Sequence, residues 1–202
     1  LDSSIPETRV PQAPTVTTAE PANPPLALKT DNTMGDFRPK TPQEFVEALL
    51  PHAEKAAKEL GIPARVLVAQ AALETGWGKH QIRHADGSPS FNLFGIKADK
   101  SWGGDRVRTM THEYENGRLE KQSAKFRAYD SIGESFEDYV RFLKSNPRYT
   151  QALKHEGNAM HFTTGLQKAG YATDPSYAQK IMRIAYGPTV QLAMNKTREV
   201  MA

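Results

Sequence analysis

In the stretch LVAQAALETGWG at residues 67–78, two polar side chains, Gln70 and Glu74, interrupt the apolar run before Thr75. They lie four positions apart, so a helix puts them on one face, together with Leu67 and Ala71. A carboxyl group among apolar neighbours loses hydration, which raises its pKa, and the negative end of the helix dipole acts in the same direction. Both effects favour a neutral acid at about pH 6, the form a general acid needs before it protonates a leaving oxygen. Two plainer readings stand beside this one: an exposed glutamate at a helix end, or an ion pair with Lys79. Trp77, as a lone aromatic, reads more readily as core than as a platform for a ligand.

An acid that attacks a glycosidic bond needs a second group. A carboxylate serves as nucleophile at roughly 5 Å, or as a base for water at roughly 6.5–9.5 Å. Glu113 and Glu115 precede the Asn116-Gly117 pair and Glu120 follows it, all at positions where charges are usually just solvated. Asp138 reads as a helix acid that favours the dipole. HEYEN at 112–116 resembles half of a metalloprotease motif, but Asn116 stands where the second histidine belongs and the segment reads as a strand. His80 and His84 are four apart with no evident third ligand, so no metal is expected. No cysteine is present, which excludes disulfides and thiol nucleophiles.

The elements that must position Glu74 are mostly helical. TPQEFVEALLPHAEKAAKEL opens on Thr41 as N-cap with Pro42 behind it, stops at Gly61, and is expected to kink or divide at Pro51. A second helix runs from Pro63 to about Gly76. SFNLFGIK reads as a turn or strand, and the flanks of Asn116-Gly117 read as a β-hairpin. SIGESFEDYVRFLKS opens with a capping box, Ser131 to Glu134, and collects Ile132, Phe136, Tyr139, Val140 and Leu143 on one face. Further helices follow in PRYTQALKH, NAMHFTTGLQKAG and PSYAQKIMRIAYG, the last ended by Gly187.

Residues 1–38 carry six of the 14 prolines among Thr, Ala and Glu, and read as a disordered tether. Residues 39–190 then form the folded domain and 191–202 a frayed C-terminal tail. The net charge of +3 is mild, with bases and acids intermixed, so nucleic-acid binding has no support. No apolar run reaches the roughly 18 residues of a membrane span, so no membrane insertion is expected. No phosphate-binding glycine loop is present.

AQAALETGWG, SFNLFGIKA, YENGRLEKQSAKFRAYDS and AGYATDPSYAQKI, in that order, resemble glycoside hydrolase family 73, peptidoglycan-cleaving enzymes. The resemblance covers about Thr41 to Gly187. It implies an α+β, predominantly helical, lysozyme-like fold, with a helical lobe and a small β-hairpin lobe flanking a cleft. It implies hydrolysis of a β-1,4 bond in peptidoglycan glycan strands after N-acetylglucosamine, with no cofactor. Glu74 matches the general acid, Glu113 the second acidic residue, and Tyr171 a tyrosine close to the reacting sugar. Asn92 and Phe94 match cleft-lining positions, and Gln70, Trp102 and Tyr177 are weaker substrate-binding candidates, although Phe94 reads equally well as core.

The tether and the overall likeness further imply a flagellar member of the family. Such a protein would act in the periplasm, with flagellar rod components as partners through an N-terminal domain absent from this sequence. Glu113 would activate water, or the substrate's acetamido group would attack with help from Tyr171. A lytic transglycosylase or muramidase on the same fold, and a non-catalytic wall-binding scaffold, are the alternatives.

Overall fold

The computed structural model describes residues 35–202, and residues 112–115 by their backbone alone. Residues 1–34 of the expected tether therefore lie outside the described residues. Just after them, Phe37 is buried in the core and its carbonyl accepts from Gln81 Nε2 at 2.7 Å and Arg83 Nη2 at 2.8 Å. The chain is thus bound to the folded body before residue 38, where the sequence reading still had tether.

Helix α1 spans Pro42–Leu60 and α2 spans Ala64–Thr75. Thr41 caps α1 by accepting from Glu44 N at 3.1 Å, and Gly61 ends it in the left-handed conformation. The expected break at Pro51 is absent: α1 is one helix, with Pro51 on its exposed side. There, the carbonyl left without a partner by proline's missing N–H faces the solvent side of the helix. α2 is apolar all round and is buried along nearly its whole length, as such a helix must be. α1 packs against α2 and α6 packs on α2's other side.

Strands β1 (Arg106–Glu115) and β2 (Arg118–Arg127) form an antiparallel ribbon. Both turn residues, Asn116 (φ 51°) and Gly117 (φ 77°), are left-handed, as a two-residue turn matched to strand twist requires. Its base is tied to the loop before it, through Ala98 N to Lys125 O at 2.9 Å and Arg127 N to Ile96 O at 3.0 Å. SFNLFGIK is accordingly a loop, with one bridge from Lys97 to Phe126.

The remaining helices are α3 (Ile132–Ser145), α4 (Thr150–Leu153), α5 (Ala159–Lys168), α6 (Tyr177–Ala185) and α7 (Pro188–Met201). Ser131 Oγ caps α3 from Glu134 N at 3.1 Å, while the Glu134 carboxylate reaches back to Asp130 N at 2.8 Å. Residues 191–201, expected to fray, are helical. Val190, Ala193, Met194 and Thr197 form a buried stripe, and α7 packs on α1. α6 stops at Ala185 with Tyr186 as its C-cap, and Gly187, expected to end it, is instead the extended N-cap of α7, where Pro188 takes the first position and its missing N–H costs nothing.

Candidate active site

Glu74 stands in the last turn of α2, and the sequence after it explains why the helix stops there. Gly76 (φ 55°), Trp77 (φ 59°) and Gly78 (φ 83°) are all left-handed. Ala72 O accepts from Trp77 N at 3.0 Å and the Gly76 N–H as well, closing the helix end. Thr75 Oγ1 donates to Ala71 O at 2.7 Å and accepts from Gly78 N at 3.0 Å, so the reversal is pinned from within. Trp77 packs edge-on against Phe45, with centroids 5.7 Å apart, and belongs with the core.

The Glu74 side chain is half-buried, and Tyr177 Oη donates to its Oε1 at 2.6 Å. Burial lifts its carboxyl from the ordinary 4.5 to about 7, against the smaller downward pull of the Tyr177 hydrogen bond. Lys79, the alternative ion-pair partner, is exposed and contributes nothing to this shift. Gln70 is fully buried one turn below. Its Nε2 donates to Tyr177 Oη at 3.0 Å, and its Oε1 accepts from Tyr139 Oη at 2.5 Å. Gln70 is therefore behind the acid, not beside a substrate.

The other predicted residues divide in the same way. Tyr177 is the one whose side chain hydrogen-bonds to Glu74 among the described residues. Tyr171 is buried, its hydroxyl donates to Phe94 O at 2.5 Å, and its ring stacks on Tyr177 with centroids 5.8 Å apart. Phe94 is fully buried and stacked on Tyr139 at 4.0 Å, so the core reading holds and the cleft-lining one does not. Asn92 is also interior: its Nδ2 donates to Ile96 O at 2.9 Å and Arg127 O at 2.8 Å, and its Oδ1 accepts from Ile96 N. It clamps the loop to the hairpin and has no side-chain group left for a sugar. Trp102 is partly exposed at the hairpin base, with Arg127 4.7 Å above its ring and its Nε1 donating to Asp105 O at 2.8 Å.

Glu113 lies on β1 opposite Glu120, and its side chain is outside the described residues. Asp138, read from the sequence as a helix acid that favours the dipole, is buried. Its Oδ2 lies 3.0 Å from Arg127 Nη1 and accepts from Tyr129 Oη at 2.5 Å. Burial and the adjacent Asp138 carboxylate push the Tyr129 hydroxyl far above its usual value. Sequence reasoning missed this cluster and Tyr139. The available signal was a polar tip on each of several aromatic residues at core positions. Among the described residues no group of three potential metal ligands occurs.

A helical body beside a two-stranded ribbon, with a half-buried glutamic acid at the end of its central helix, defines the class of lysozyme-like proteins. The family model described as mannosyl-glycoprotein endo-beta-N-acetylglucosaminidase matches residues 50–188, and the chain belongs to this glucosaminidase family, glycoside hydrolase family 73. It is 56% identical over 140 residues to peptidoglycan hydrolase FlgJ of Vibrio cholerae, covering 69% of this chain and 42% of that protein. It thus spans less than half the length of that relative. The crystal structure of a peptidoglycan hydrolase from Sphingomonas sp. A1 superposes with a TM-score of 0.69 at 45% identity, over 77% of this chain and 94% of that one. The glycoside hydrolase domain of Salmonella typhimurium FlgJ superposes with a TM-score of 0.59 at 38% identity, over 79% of this chain and 92% of that domain.

Proposed function

We propose that this chain is a peptidoglycan hydrolase, an endo-β-N-acetylglucosaminidase that cleaves β-1,4 glycosidic bonds, with Glu74 as general acid. One observation carries the reading: a half-buried glutamic acid whose carboxyl is pushed up to about 7 at the end of a core helix. Near neutral pH a large share of it is protonated, so it delivers a proton to the departing oxygen as the glycosidic bond breaks. Glu113 is the candidate second carboxylate, activating the water that attacks from the opposite face. Tyr177 holds the acid in place, while Tyr171 supports Tyr177 by stacking and spends its hydroxyl on Phe94 O.

The names carried by the similar proteins support a wall substrate, and the flagellar relatives support action in the periplasm, opening the wall for the rod. Rod components are the expected partners. The proposed chemistry calls for no metal or organic cofactor. Among the described residues no helix is long and apolar enough to cross a membrane.

The test is turbidity loss of purified peptidoglycan with the native chain and with Glu74→Gln, followed by mass spectrometry of the soluble products. Clearing that Glu74→Gln abolishes, with hydrated fragments ending in reducing N-acetylglucosamine, supports the proposal. Anhydro products indicate a lytic transglycosylase, and reducing N-acetylmuramic acid ends a muramidase. Wall binding without cleavage indicates a scaffold. An initial product of inverted anomeric configuration fits water activation by Glu113, whereas retention fits attack by the substrate's acetamido group.

A further inference from the structure

Gln70 and Tyr139 take no part in the chemistry just described, yet they continue the hydrogen bond that reaches Glu74. Tyr139 Oη donates to Gln70 Oε1, Gln70 Nε2 donates to Tyr177 Oη, and Tyr177 Oη donates to Glu74 Oε1. The donors all point one way, and the carboxylate dictates this. An ionised carboxylate only accepts, so Tyr177 must donate to it. The Tyr177 oxygen is then the acceptor, so Gln70 must turn its NH2 toward it. The amide carbonyl consequently faces Tyr139, which must donate.

Protonating Glu74 opens two arrangements. In one, the proton sits on Oε2 and the chain is unchanged. In the other, it sits on Oε1 and donates to Tyr177, which reverses every link. Gln70 turns over, and the Tyr139 hydroxyl hydrogen points away from the amide. Tyr139 is fully buried, stacked on Phe94 and packed against the edge of Tyr171, and its hydroxyl donates no other hydrogen bond among the described residues. Reversal would strand a buried O–H without an acceptor, an arrangement folded proteins avoid.

We propose that Gln70 and Tyr139 are positioning residues that confine the acid proton of Glu74 to Oε2. That oxygen receives no hydrogen bond from any described residue, on a side chain that is not sealed from solvent. It is the oxygen free to meet a leaving group. The titratable side chain that acts on Glu74 is Tyr177 from α6, while Glu74 in turn raises the hydroxyls of Tyr177, Tyr139 from α3 and Tyr171 ahead of α6. No described cation contributes to the Glu74 shift. The inference rests on the glycosidase reading for its catalytic consequence, though not for the direction of the hydrogen bonds.

Tyr139→Phe keeps the ring and its stacking while removing the terminal O–H, and Gln70→Met removes both polar ends at similar size. The experiment follows the Glu74 carboxyl by carbon NMR titration in both variants, alongside kcat and KM on peptidoglycan as functions of pH and the melting temperature. Freed to sit on either oxygen, the proton stabilises the neutral form. The titration of Glu74 then rises by about half a unit, the alkaline limb of kcat moves with it, and kcat falls about 3-fold at unchanged KM.

A merely structural role would lower the melting temperature or kcat and leave the titration in place. An unmoved titration in both folded variants overturns the proposal, as does a raised titration with kcat unchanged. If one variant fails to fold, the other decides. Equal clearing by the native chain and Glu74→Gln would instead remove Glu74 as the general acid, and the NMR titration would still report on the hydrogen-bond chain.

Discussion

Arg127, the last residue of β2, places its guanidinium 3.0 Å from the Asp138 carboxylate in the middle of α3, with both side chains at most 10% exposed. This pair joins the base of the ribbon to the helical body, and Tyr129 completes it by donating to the same carboxylate oxygen. Removing one member of a buried pair leaves the other charge uncompensated. Asp138→Asn should therefore destabilise the fold by about 3–5 kcal/mol, read as a lower midpoint in urea unfolding.

Glu74 ties activity to stability with opposite signs. Its carboxyl titrates near 7 in the folded chain and near 4.5 when free, so the folded state binds the extra proton between those values. The stabilisation is fully present below about pH 4.5 and is lost as pH rises through about 7. The loss is at most about 3 kcal/mol, reduced by the partial exposure of the side chain. Glu74→Gln should thus melt higher than the native chain at pH 8 and equally at pH 4, as thermal scans at both values will show.

The same titration sets the pH profile of catalysis under the proposed mechanism. A general acid works only while protonated, so kcat should fall tenfold for each unit of pH well above about 7. Tyr177→Phe removes the hydrogen bond that pulls the Glu74 pKa down and should shift this limb upward. Initial rates between pH 5 and 9 for the two proteins make the comparison.

Gly78 is tested by Gly78→Ala. Its φ is 83°, and a Cβ there would meet Pro39 Cγ at 2.5 Å, a ring that cannot swing aside. Strain and overpacking together should cost about 2–4 kcal/mol and loosen the turn that follows Glu74. Denaturant unfolding measures the first effect, and clearing activity at a temperature where the variant stays folded measures the second.

Met194→Ala addresses the C-terminal helix. Met194 is 1% exposed in the seam between α7 and α1, so truncation should leave a cavity and cost about 2–5 kcal/mol. Leu192→Ala, on the exposed side of the same helix, should change stability by less than about 0.5 kcal/mol.

Glu74 was legible in the sequence because an apolar helix with a glycine stop leaves few roles for a carboxylate in its last turn. Asn116-Gly117 likewise announced the ribbon, since few other residue pairs adopt two positive φ angles in succession. Tyr177 as the partner of Glu74 was not legible, because the two are 103 positions apart and only the packing of α6 on α2 joins them. Gln70 shared the face of Glu74 as the spacing required, but a helical face does not reveal whether it meets solvent or core. Asp138 looked like an ordinary helix acid because its partners come from the ribbon's base, again a tertiary matter. In α7 the signal was present, with Val190, Ala193, Met194 and Thr197 at helical spacing. Gly187-Pro188 masked it by reading as an end.

The ribbon has the geometry of a lever. Glu113 lies seven residues from Arg106, so its Cα stands about 24 Å from the base along the strand, whereas Glu74 is fixed in the core. A swing of about 10° about the base would carry the Glu113 backbone about 4 Å along an arc. That travel is comparable to the gap between the carboxyl separations of retaining and inverting glycosidases. Under the proposed mechanism, the stiffness of the Arg127–Asp138 joint would set how closely Glu113 approaches Glu74, and rigidity at the base of the ribbon would become a determinant of chemistry at its tip.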